Sequence, residues 1–171
     1  MSVSSVVLIG MPGAGKSTVG ILLAKEMGLD FVDTDISIQV RESKTLQQIT
    51  DQSGYLVLRD IEEQVLLAEN IIGKVVSTGG SAVYSEAGMT HLAQDSVVVF
   101  LDVPLAALEA RISNFSSRGI ARHPGQSFDD LFAERSVLYH RYANICVDCS
   151  TLSIDEVLQK TLRLIAQYPI H

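Results

Sequence analysis

Five short apolar runs punctuate the chain, each ending at a glycine or a polar turn. Val6-Val7-Leu8-Ile9 is apolar throughout and stops at Gly10. Such a run suits a strand buried on both faces, as in a parallel sheet. Phe31-Val32-Asp33, Lys74-Val75-Val76-Ser77, residues 96–101 and Ile145-Cys146-Val147 read as four further strands. Between them the period lengthens. Val19, Leu22, Leu23 and Met27 share one side of a helix over 16–27, which Gly28 stops. Residues 46–72 look helical with a break at Ser53-Gly54, and Pro104 opens a helix carrying Leu105, Leu108 and Ile112. Residues 128–142 and an amphipathic closing helix over 154–165 complete the pattern.

Strands alternating with helices predict an α/β fold of three layers. A central parallel sheet of about five strands is flanked by helices in a single domain spanning 1–171. Ligands of such sheets bind beyond the carboxyl ends of the strands. Asp33 and Asp35, Gly79-Gly80 and Asp102 all fall there. The polar, glycine-bearing stretch 114–126 reads as a surface loop.

Composition narrows the function. The 171 residues are 47% hydrophobic and carry a formal charge of -7. An acidic chain argues against nucleic acid as the main ligand, since phosphate backbones need a basic face. No apolar run approaches the roughly 20 residues that span a bilayer. Met1 to Ser5 lack the basic start of a signal peptide. A cytoplasmic monomer, bound to neither nucleic acid nor membrane, is the expectation. Cys146 and Cys149 form a C-x-x-C pair, but on a short apolar strand running into a loop, where no helix dipole lowers a thiol pKa. They read as reduced structural thiols. His91, His123, His140 and His171 carry no motif.

The sharpest signal is Gly10-Met11-Pro12-Gly13-Ala14-Gly15-Lys16-Ser17, which fits G-x-x-x-x-G-K-[ST] between a buried strand and a helix. Backbone N–H groups of such a loop cradle phosphate oxygens, and the helix N-terminus adds partial positive charge. Lys16 is placed for the β- and γ-phosphates and the Ser17 hydroxyl for Mg²⁺. ATP with Mg²⁺ is therefore the expected ligand set. Asp33-Thr34-Asp35 has two readings. Asp33 holds Mg²⁺ through water while Asp35 takes a proton from an attacking hydroxyl, or the triplet caps a helix beginning near Ile36.

The phosphate loop continued by Thr18-Val19-Gly20, Asp33-Thr34-Asp35, Arg59 within Leu58-Arg59-Asp60-Ile61-Glu62, and Ser77-Thr78-Gly79-Gly80 occur in this order. Leu101-Asp102-Val103-Pro104, Arg111, Arg118 and Glu134-Arg135-Ser136-Val137-Leu138-Tyr139 follow. Together they resemble the shikimate kinases, of the P-loop kinase fold, over nearly the whole chain. The resemblance implies transfer of phosphate from ATP to shikimate, a step of aromatic amino acid biosynthesis. It implies Asp33 near Mg²⁺, Asp35 on the acceptor hydroxyl, and Arg59 and Arg135 on the acceptor carboxylate. It also implies backbone N–H groups of Gly79 and Gly80 at the acceptor, Arg111 on adenine, and Arg118 as a lid arginine within 114–126. Arginine suits these roles through its bidentate fork.

Two departures matter. Ser81 stands where the family usually has a third glycine, and the lid reads Arg118-Gly119-Ile120-Ala121 where the family has Arg-Pro-Leu-Leu. Three readings stay open: a shikimate kinase, a kinase of another small hydroxy acid such as homoserine, and a nucleotide-binding regulator. A nucleotide kinase ranks lower, since Asp33 and Asp35 would face a phosphate-bearing acceptor.

Overall fold

The computed structural model describes residues 4–112 and 119–169. Five strands form one parallel sheet in the order β2-β3-β1-β4-β5. They are β1 (Val6–Ile9), β2 (Asp30–Asp33), β3 (Lys74–Ser77), β4 (Val97–Asp102) and β5 (Ile145–Asp148). The fully apolar β1 lies in the middle, and all four of its residues are buried. β5 forms an edge and alternates buried with exposed, as a strand with one wet side must.

The helices are α1 (Lys16–Met27), α2 (Thr34–Glu42), α3 (Leu46–Ser53), α4 (Tyr55–Ala68), α5 (Glu86–Ala93), α6 (Leu105–Arg111), α7 (Phe128–Tyr142) and α8 (Ile154–Gln167). The β1-to-β2 connection runs one way across the sheet, and the other three run back. Right-handed crossovers then put α1 on one face and the intervening helices on the other. α8 packs beside α1. None of the described helices is long and apolar enough to cross a membrane.

Most of the expected elements are present. The break at Gly54 separates α3 from α4, and Gly54 adopts φ 85 there. α5 is an addition, and α2 is the helix that the capping reading of Asp33-Thr34-Asp35 placed near Ile36. α2 starts at Thr34, with Asp33 as its N-cap accepting from the Asp35 N–H. The 114–126 stretch is less superficial than a surface loop. Its residues 114–118 lie outside the described residues, but Ala121 is 2% exposed and sits in a small second core with Ile38, Ile49, Leu58 and Val65. Both cysteines are free thiols, and burial pushes the Cys149 thiol up to about 11, far from a reactive thiolate.

Strand register builds the site. Asp33 pairs with Ser77, and Ser77 with Leu8. The carboxyl ends of β1, β2 and β3 therefore finish side by side, and the loops that follow them converge.

Candidate active site

The loop between β1 and α1 closes tightly on itself. Gly15 caps α1 at φ 92, in the left-handed region where glycine carries no Cβ penalty. Lys16 is 8% exposed, and its Nζ donates to the carbonyls of Gly10 (2.8 Å) and Met11 (2.9 Å). The ammonium thus bends back over the concavity of its own loop. Met11 and Ala14 turn their side chains into the core. Ser17 Oγ donates to Asp33 Oδ2 at 2.5 Å and lies 3.3 Å from Ser77 Oγ. The other oxygen of Asp33 caps α2 by accepting from the Asp35 N–H, so the capping reading of the triplet is the one observed directly. Arg111 ends α6 beside the loop and donates to the Gly13 carbonyl at 3.3 Å.

One cavity of about 270 Å³ joins this loop to the second half of the site. Pro12, Gly13, Gly15, Lys16, Ser17 and Thr18 line it together with Asp35, Glu62, Gly80, Ser81 and Arg135. Arg135 belongs to α7, an exposed-looking helix in sequence, yet it is 1% exposed. Its Nη2 donates to the Ala121 carbonyl at 2.7 Å, while its buried Nε has no hydrogen-bond partner among the described residues. Arg59 does not line the cavity. Its guanidinium lies 3.5 Å from the Tyr84 ring centroid and 5.2 Å from that of Tyr55, and its buried Nε and Nη2 have no partner either. Stacking on a π-face accepts a cation without using its N–H donors in the plane.

Gly79 departs from expectation. Its N–H, expected to face an acceptor, donates to Thr34 Oγ1 at 3.1 Å. The residue is needed small for another reason. A Cβ there would strike Glu62 Oε1 and lie 2.6 Å from Asp35 Oδ1. Gly80 does line the cavity, and its carbonyl accepts from the Tyr139 hydroxyl at 2.6 Å. Arg118 lies outside the described residues. The segment after it is anchored: the Gly119 N–H donates to Gln47 Oε1 at 2.5 Å, and His123 Nδ1 is 2.7 Å from the Tyr55 hydroxyl.

Glu62 is the site residue that sequence reasoning missed. It is 3% exposed and accepts from the Ser81 hydroxyl. Burial, then the Asp35 charge, push its carboxyl from 4.5 up to about 7, against the opposing pull of Ser81, Arg135 and Arg59. A signal existed. Leu58, Glu62, Val65 and Leu66 form the buried stripe of α4 at i, i+4, i+7 and i+8, so the glutamate interrupts an apolar face.

The raised pKa is a stability cost. The folded chain holds this proton more tightly than the unfolded chain. The penalty is absent below pH 4.5, grows up to about 7, and is constant above. Glu62→Gln is therefore expected to stabilise the fold above that interval by up to roughly 3 kcal/mol. Thermal melts on both sides of the interval check this, since the gain should vanish at the acid end.

The comparisons with known proteins agree with this geometry. The family model for shikimate kinase matches residues 12–166. A shikimate kinase of Pseudomonas fluorescens is 35% identical over 169 residues, covering 96% of this chain and 98% of the relative. One from Clostridium botulinum is 34% identical over 167 residues, covering 95% and 97%. The structure of shikimate kinase from Acinetobacter baumannii in complex with shikimate superposes with a TM-score of 0.85 at 27% identity, covering 98% of this chain and 96% of that one. With its phosphate loop, its parallel sheet and these matches along nearly its whole length, the chain belongs to the shikimate kinase family.

Proposed function

We propose that this protein transfers the γ-phosphoryl group of ATP to a hydroxyl of shikimate. The observation that carries the reading is Arg135, a buried guanidinium with an unpaired Nε, in the lining of the same cavity as the phosphate loop. A buried cation of this kind matches a carboxylate, which shikimate carries beside its ring hydroxyls. Arg59 joins it from behind Tyr84 by reorienting its free donors.

The chemistry follows from placement. The backbone N–H groups of 10–15 and the Lys16 ammonium hold the triphosphate, and Arg111 stands at the edge where the adenine leaves the loop. Asp35, in the lining of the same cavity as Lys16, orients the acceptor hydroxyl and takes its proton. The acceptor oxygen attacks the γ-phosphorus, the bond to the β–γ bridging oxygen breaks, and ADP departs with that electron pair. Arg118, the lid arginine of the resemblance, is assigned the charge that develops on the transferring phosphoryl group.

The donor set fits Mg²⁺. Ser17 and Asp33 converge at 2.5 Å, and no cluster of three or more acidic, histidine or cysteine residues stands among the described residues. A hydroxyl and one carboxylate, completed by substrate phosphates and water, are the usual protein contribution to a magnesium site. When bound, the metal supplies charge neutralisation on the phosphates.

Ser81 in the cavity wall favours one second reading, a smaller hydroxy acid such as homoserine. ADP release measured with shikimate, homoserine and nucleoside monophosphates decides between them. Saturable stimulation by shikimate is expected. Its absence above background hydrolysis overturns the reading.

A further inference from the structure

We infer that Ser81 is a positioning residue for the acceptor: its hydroxyl engages the Glu62 carboxylate and so keeps that carboxylate off Arg135. The inference rests on the reading that an acceptor carboxylate meets Arg135.

Three side chains in one cavity wall carry it. Glu62, Ser81 and Arg135 all line the same space. Glu62 Oε1 packs against Gly79, and Arg135 Nη1 packs against the next residue, Gly80, lying 2.8 Å from where a Cβ would stand. A buried carboxylate and a buried guanidinium therefore lie against adjacent residues of one loop. Nothing would be more natural than an ion pair between them. None forms. The ion pairs among the described residues are Arg41–Glu42 and Lys74–Glu69. Glu62 instead accepts from Ser81, and Arg135 is left with an unsatisfied Nε.

The charges around Glu62 make the choice consequential. Asp35 from α2 repels it, while Arg135 from α7 and Arg59 from α4 attract it. A buried, desolvated carboxylate gains from the nearest donor it can reach. With Ser81 present that donor is a neutral hydroxyl. Without it, the carboxylate turns to the guanidinium, and an internal anion occupies the place of the acceptor's own. Glycine at this position offers no such hydroxyl, so the serine gives this chain a way of its own to hold Glu62.

Steady-state kinetics on the full chain test this, with shikimate as the acceptor and ADP release as the readout. Ser81→Ala and Ser81→Gly are each expected to raise the shikimate KM about tenfold, the effect of one hydrogen bond to a charged group. The KM for ATP should stay put, and Ser81→Thr, which keeps the hydroxyl, should stay near the unmodified value. The decisive arm is Glu62→Gln. In that background Ser81→Ala should change the shikimate KM by less than about twofold, because a neutral amide does not compete for the arginine. Equal KM increases in both backgrounds, or no increase in either, overturn the inference. If Arg135→Ala abolishes shikimate saturation while both Ser81 variants behave as the unmodified chain, the acceptor reading survives and this inference fails. If the unmodified chain shows no response to shikimate, the acceptor reading itself fails.

Discussion

Lys16→Ala is expected to lower kcat by about a hundredfold to a thousandfold or more, the scale of losing one preorganised donor at a reacting centre, with the fold retained. The ammonium is nearly buried and held by two backbone carbonyls, so it meets phosphate oxygens already aimed and largely stripped of water. Preorganisation of that kind costs no reorientation during the reaction. The same two contacts set the structural cost. Their loss removes two hydrogen bonds from a charged donor, each about 1.5–3 kcal/mol net. A stability of about 5–15 kcal/mol is reduced but not exhausted by that. Single-turnover transfer alongside far-ultraviolet circular dichroism checks both halves. Turnover at the unmodified rate would contradict the assignment of the phosphate loop.

The second large effect is expected at Arg135. Arg135→Ala should reduce kcat/KM for the acceptor by at least about 30-fold, the low end of the 2–5 kcal/mol cost of truncating one member of a buried charge pair. The KM for ATP should move far less, since the triphosphate is held by the phosphate loop and Lys16 and not by Arg135. Arg59→Ala should act in the same direction and more weakly, because Arg59 stacks on Tyr84 outside the cavity lining. Acceptor and ATP titrations on both variants give the ratio. A larger loss at Arg59 would mean that its side chain swings fully into the cavity when the acceptor binds.

The sheet and the phosphate loop were legible in the sequence because their signals are local. A strand buried on both faces is apolar without interruption, and the glycine spacing of the loop belongs to adjacent residues. α2 was legible only through its cap, because Ile36 and Val40 are 57% and 74% exposed and Ile38 alone among its large apolar side chains is buried, too little for an apolar stripe. α5 is eight residues long with Gly88 in the middle, where close packing against Leu66 calls for a residue that helix propensity disfavours. In the site, Asp35 and Arg135 could be found from the resemblance, but the burial of Arg135 could not. It depends on Ala121, which closes over it from 14 residues away. The Gly79 N–H was misread because its partner, Thr34, lies 45 residues away and is fully buried. Glu62 was overlooked because glutamate on a helix is ordinarily solvated, and only Ser81 and Asp35, from other elements, give it a pocket.

The stacking of Arg59 on aromatic rings also equips the molecule with an optical window. The chain has five tyrosines and no tryptophan, so tyrosine emission is not drained to an indole. Two of those tyrosines, Tyr55 and Tyr84, flank Arg59, and Tyr84 is further bonded to Glu134. When the guanidinium turns toward an anion, Tyr55 loses the cation beside it and Tyr84 keeps only Arg135, 5.4 Å from its ring centroid. Ultraviolet fluorescence of the unlabelled protein thus reports from the acceptor half of the site, with no dye attached and no residue replaced.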